Sequence, residues 1–311
     1  MLDNKSTKNW VIYIQSAFMG MNYRLNFRNL VCVFLFCFSF VFQIRGANED
    51  EIDIAAWCKS GKLQLELVSL GGHQGECVQM RVKNRSAELI QTRLEPGRKL
   101  ISEDSSAQDI FIVKTLAIRL AAGEEKQFSA NGFCCRASRH SPAMGMKFKL
   151  GELMPSTWVQ VAELIDKNNF PSSAIQAAVW ALSDNHAVAA IQSDKPLVVE
   201  SLRRLVAQVK GVELPWYSVS YEQDTTLLFS GRPERVWGEF TYYLPNQAMI
   251  TMVIQDMRGR IMTVLTRGSA GMPGTYTYYL DQDVRKWKRG EYEFRILEDG
   301  ANLNLKKKFI L

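Results

Sequence analysis

The segments FTYYLPNQAMITMVIQDMRGR (240–260), GTYTYYL (274–280), GEYEFRILEDG (290–300) and KKKFIL (306–311) decide the fold. Phe240, Tyr242 and Leu244 alternate before Pro245, and Ile250, Met252 and Ile254 alternate before the turn Asp256-Met257-Arg258-Gly259. Tyr276, Tyr278 and Leu280 follow the break Gly271-Met272-Pro273-Gly274. Tyr292, Phe294 and Ile296 follow Gly290, and Leu303, Leu305, Phe309 and Leu311 close the chain. Apolar residues at every second position put one face of each segment in a core, and Gly, Pro and Asp mark the turns between them. The pattern predicts an antiparallel, half-buried β-sandwich over 237–311.

Working outward, residues 213–236 read as a linker and first strand, beginning at Leu214-Pro215-Trp216. Residues 151–212 switch to helical periodicity. Trp158, Val161, Ala162, Leu164 and Ile165 form one apolar face after Pro155, which a first helical turn tolerates. Ile175, Ala178, Val179 and Leu182 form a second face, and Val198, Leu202, Leu205 and Val206 a third. Three short helices joined by polar turns make a compact helical unit. Residues 55–150 return to short alternating runs: Leu63, Leu65 and Leu67; Val78, Met80 and Val82; Leu116, Ile118 and Leu120. They predict an N-terminal sandwich or open barrel, of which the sandwich is preferred. The fold class expected is mainly β with a small helical unit: N-terminal β-sandwich, three-helix segment, C-terminal Ig-like β-sandwich.

The first 46 residues read as a secretory signal peptide. Arg24 and Arg28 precede the apolar run Leu30 to Phe42, and small residues follow at Gly46-Ala47. Translation starting at Met19 or Met21 would give a more ordinary leader. The run is shorter than the roughly 18 residues of a membrane span, so no permanent span is expected after cleavage. Of the net charge of +6, four units lie in residues 1–46, leaving +2 on the remaining 265 residues. That balance gives no case for a nucleic-acid partner. The chain is expected in the periplasm, on the outer cell surface or secreted.

Export bears on the cysteines. Cys32 and Cys37 leave with the leader, and Cys58, Cys77, Cys134 and Cys135 remain. Four cysteines in an oxidising compartment most often form two disulfides. Adjacent cysteines rarely pair together, so Cys134 and Cys135 would each bridge to Cys58 or Cys77. His73, His140 and His186 have no ligand spacing, so no metal or other cofactor is expected. Asn84-Arg85-Ser86 matches a glycosylation acceptor pattern.

The C-terminal segments resemble the Ig-like module of flagellar hook-assembly proteins and, equally, the C-terminal sorting domains of type IX-secreted proteins. The resemblance implies a sorting or docking role, with a partner in the envelope or the secretion machinery. In such a domain the basic run Lys306-Lys307-Lys308 near the C-terminus is part of the family's look, and it would also blunt a sheet edge.

Ile175-Gln176-Ala177-Ala178-Val179-Trp180 resembles the Gln-x-Ala-Ile/Val-Trp helix motif of bacterial surface thioester domains, and Phe133-Cys134-Cys135 resembles the aromatic-Cys segment of the partner strand. The resemblance implies a bond between Gln176 and Cys134 or Cys135, with Trp180 shielding it from water. The chain departs from that family in the short spacing of 41 residues between Cys135 and Gln176, and in Ile175 where the family has Thr. A purely local reading competes: Ser173 and Gln176 match an S-x-x-Q capping box, which explains the glutamine without chemistry. Cys135 with His140 could imitate a nucleophile pair, although no third orienting group is apparent. Asp184 and His186 read as solvent-exposed loop residues.

The leading expectation is therefore a non-enzymatic envelope or cell-surface protein with an N-terminal binding module and a C-terminal sorting or docking module. The alternatives are a covalent adhesin with a Cys–Gln thioester and a secreted cysteine-dependent hydrolase.

Overall fold

The computed structural model describes residues 53–224 and 228–311, and the expected signal peptide lies outside the described residues. The chain is mainly β, with the small helical unit in the middle, as the alternating and helical runs require. Among the described residues, no helix is long and apolar enough to cross a membrane.

The N-terminal part differs from the expected sandwich. After a short helix α1 (Ile54–Lys59) come β1 (Leu63–Ser69), β2 (Gln74–Asn84), β3 (Ile90–Leu94), β4 (Arg98–Ser102), β5 (Asp109–Ile112), β6 (Leu116–Leu120), β7 (Glu125–Cys135) and β8 (Lys147–Leu153). Six of these strands close into a barrel in the order β1-β2-β7-β5-β4-β8, with β8 returning to pair with β1, while β3 and β6 form a separate ribbon. Closure removes the sheet edges that an open sandwich would have to protect. Leu67, Val78, Met80, Leu100, Ile110, Ile112 and Cys134 fill the interior. Ile54, Trp57 and Cys58 of α1 pack against that core. Arg98 is buried and is held by Asp53, Glu95 and the Gly151 carbonyl, which ties the start of α1 to the barrel. β5 and β7 approach so closely that a Cβ on Gly132 would stand 2.3 Å from Ile110 Cγ2.

The outer face of β5 and β7 carries the helices α2 (Ser156–Lys167), α3 (Ser172–Ser183) and α4 (Pro196–Lys210). Because strand side chains alternate, β7 serves two cores. Cys134 points into the barrel, whereas Phe133 and Cys135 join Val161, Ile165, Ile175, Ala178, Val179, Leu202 and Val206 in the helical core. β5 does the same, with Phe111 toward the helices and Ile110 and Ile112 inward.

The C-terminal sandwich has the expected two layers. β9 (Tyr217–Tyr221), β10 (Pro233–Leu244) and β13 (Gly274–Asp283) make one sheet in the order β13-β10-β9. β11 (Ala248–Asp256), β12 (Ile261–Gly271), β14 (Glu291–Glu298) and β15 (Asn302–Ile310) make the other, in the order β12-β11-β14-β15. Phe240 packs edge-on against Phe294 (4.8 Å between ring centres) and Trp216 (5.3 Å), joining the layers. The lysine run lies in β15, an edge strand.

Candidate functional site at the junction of β7 and α3

The four cysteines are free thiols, and the two bridges expected from their number are not formed. Alternation along β7 gives a physical reason for Cys135, which faces the helical core, away from the barrel core that holds Cys58, Cys77 and Cys134. Cys58 lies with Asp53 and Arg98, which are the charges that act on it, and burial pushes its thiol up to about 11. Burial likewise pushes the Cys77 thiol up to about 11, and its sulfur donates weakly to the Gly132 carbonyl.

Gln176 is buried, 3% exposed, and its Nε2 donates to the backbone carbonyl of Cys134 at 2.8 Å. The capping-box reading is thereby overturned. α3 begins two residues earlier than such a box requires, its N-cap is Pro171, and no side chain caps it. Ser173 and Gln176 are thus both inside the helix. The motif on α3 meets β7 through the backbone of Cys134. Past the last register pair of β2 and β7, Gln74 and Phe133, the Cys134 N–H still bonds to the His73 carbonyl at 2.9 Å, while the Cys134 carbonyl takes the glutamine.

Of the two cysteines, Cys135 has its side chain on the helical side, in the core that Ile175, Ala178 and Val179 share. It pairs in register with Asp109 of β5. Burial, followed by the nearby carboxylates of Asp109 and Asp184, pushes its thiol far above the ordinary cysteine range. The next residue, Arg136, has φ +74°, a strained left-handed conformation for a side chain of that size. Asp184, just past the end of α3, holds that turn: its carboxylate accepts the Arg136 and Ala137 N–H groups at 3.1 and 3.0 Å. Asp184 is therefore a fixed anchor of the site, which its place in a polar loop did not reveal.

Gln176 opens onto a cleft of about 460 Å³ between the β1–β2 loop, α3 and the sandwich. His73, Gln74, Trp180, His186, Tyr221 and Phe229 line it. His186, expected in solvent, is instead stacked on Phe229 at 3.9 Å and meets the Trp180 ring edge-on at 5.8 Å. Burial lowers its pKa to about 4, so the imidazole is neutral at physiological pH. Two buried polar atoms in this cleft, Gln176 Oε1 and Trp180 Nε1, have no hydrogen-bond partner among the described residues.

The remaining candidates are not assembled. His140 is exposed on the loop after β7, and its backbone groups bond to Ser106 and Gln108. Cys135 faces the helical core whereas His140 is exposed, so the two do not make a nucleophile pair. Asn84 is fully buried, with its amide donating to the Glu88, Leu120 and Ala121 carbonyls, so it is not presented for glycosylation. No group of three or more metal-ligating side chains occurs among the described residues.

No family model matches the chain, and no curated protein is similar to it. Among solved structures, red sea bream transglutaminase matches at 10% identity and a TM-score of 0.20, over 86% of this chain and 34% of that one. The chain thus spans about a third of that structure's length, and a likeness this slight carries no argument about fold or chemistry.

Proposed function

We propose that this chain is an exported cell-surface protein that acts as a covalent adhesin, with Cys135 and Gln176 closing an internal thioester. The observation that carries the reading is the buried Gln176 carboxamide docked on the Cys134 carbonyl, on the strand whose next residue, Cys135, turns its thiol to the helical core. The attacking thiol forms a C–S bond with the Gln176 carboxamide carbon, the C–N bond breaks, and ammonia leaves with the thiol proton. The product is a stored electrophile inside an apolar wall. An amine or hydroxyl on a neighbouring surface then displaces the thiol, which regains a proton, and a covalent tether remains. In this role the C-terminal sandwich is the sorting or docking module, presenting sheet edges and loop ends rather than a deep pocket. The partner is then an envelope or surface protein.

Methylamine tests the reading. Treatment of the native protein followed by peptide mapping is expected to place one methylamide on Gln176 and to free one new thiol at Cys135. A label that appears only after denaturation, or on other glutamines, would sink the reading. So would equal labelling of Cys135→Ser.

A further inference from the structure

Building on the thioester proposal, we infer that the indole N–H of Trp180 is the oxyanion donor of this site, hydrogen-bonding the acyl oxygen of residue 176 as the thioester is made and opened. The first observation is the pair of orphans. Gln176 Oε1 is an acceptor and Trp180 Nε1 a donor, both sealed from solvent, both in the wall of one cleft, and neither has a partner among the described residues. A buried unpaired polar group costs on the order of 1–3 kcal/mol, so two in one place need a reason.

The second observation is their spacing. Residues 176 and 180 are one turn apart on α3, which brings their Cβ atoms within about 5–6 Å. Long helical side chains lean back toward the helix N-terminus, over the turn that precedes them. By that rule the indole of Trp180 is directed over the turn that carries Gln176. The rings of Phe229 (6.0 Å between centres) and His186 flank it and limit its freedom.

The chemistry fits an N–H that is unpaired at rest. When the Cys135 sulfur adds to the carboxamide carbon, Oε1 takes the negative charge and moves as the carbon becomes tetrahedral. A donor that serves this state is placed for the oxyanion and not for the planar amide. His186 is neutral and brings no competing charge. The same oxygen carries charge again when an amine opens the thioester, so one donor serves both steps.

The test separates this role from simple shielding by the sign of the effect. The full chain is refolded under reducing conditions, and ammonia loss and methylamine uptake are timed by mass spectrometry for wild type and Trp180→Phe. Losing an oxyanion donor costs about 10²–10³ in rate for strong cases, and for a neutral indole at least about tenfold is expected in both steps. A shield would behave oppositely, since its loss speeds hydrolysis and amine attack. If Trp180→Phe does not fold, 3-benzothienylalanine at position 180 keeps the shape and replaces the N–H by sulfur. Unchanged or faster rates in either variant would overturn the inference while leaving the thioester intact. A wild-type chain that never loses ammonia would overturn the thioester proposal and this inference with it.

Discussion

Opening the thioester with methylamine should loosen the protein without removing a side chain. The bond would cross-link Cys135 to Gln176, 41 positions apart. In the chain-entropy treatment used for disulfides, a closed loop of that length stabilises by about 4 kcal/mol. The closed thioester has no Nε2, so the 2.8 Å bond to the Cys134 carbonyl is absent from it and can form in the methylamide product. That gain offsets part of the lost tether, and about 4 kcal/mol is therefore an upper value for the loss. For a unit of this size each kcal/mol moves the melting temperature by about 2–4 °C, which gives a fall of up to about 8–16 °C. The assay is a thermal melt of native protein with and without methylamine, alongside Cys135→Ser. The untreated variant should melt near the methylamine-treated wild type and ignore the reagent. A wild type whose melting point does not respond, or a variant that falls equally, would refute the reasoning.

Two further outcomes follow from the packing and the buried imidazole. Gly132→Ala puts a methyl into the Ile110 side chain where β5 and β7 touch. Overpacking there should cost about 1–3 kcal/mol, read as a lower urea midpoint. The His186 pKa is depressed to about 4 from 6.5, so between those values the unfolded chain binds more protons than the folded one. Stability then rises with pH across that window and is lost on acidification from 6.5 toward 4. His186→Gln should flatten the pH dependence of the urea midpoint there, and an unchanged slope would contradict the burial of the ring.

The sandwich was legible because several of its strands bury mainly one face, so alternation survives at Phe240, Tyr242 and Leu244 and at Tyr292, Phe294 and Ile296, even though Val253 and Glu293 are buried on the other face. The helices were legible for the same reason at their own period. Barrel closure was not, since the pairing of β8 with β1 and β4 is set by long-range register that alternation does not encode. The motif around Gln176 was visible, and so was a competing capping box. What decides between them is the helix start, which lies at Ser172 rather than after Ser173, a shift of the size by which propensity alone misplaces helix ends. The choice between Cys134 and Cys135 needed the direction of side chains on β7. His186 and Phe229 were missed because their contact joins the loop after α3 to the segment after β9. A histidine near aromatics in space leaves no local signal.

The most direct test of the Cys135–Gln176 thioester is the intact mass of the native protein, unreduced and untreated. The proposal predicts a chain lighter by one ammonia than its sequence mass, and Cys135→Ser at full mass. A wild-type chain at full mass, or one lighter only by the four hydrogens of two disulfides, would contradict it.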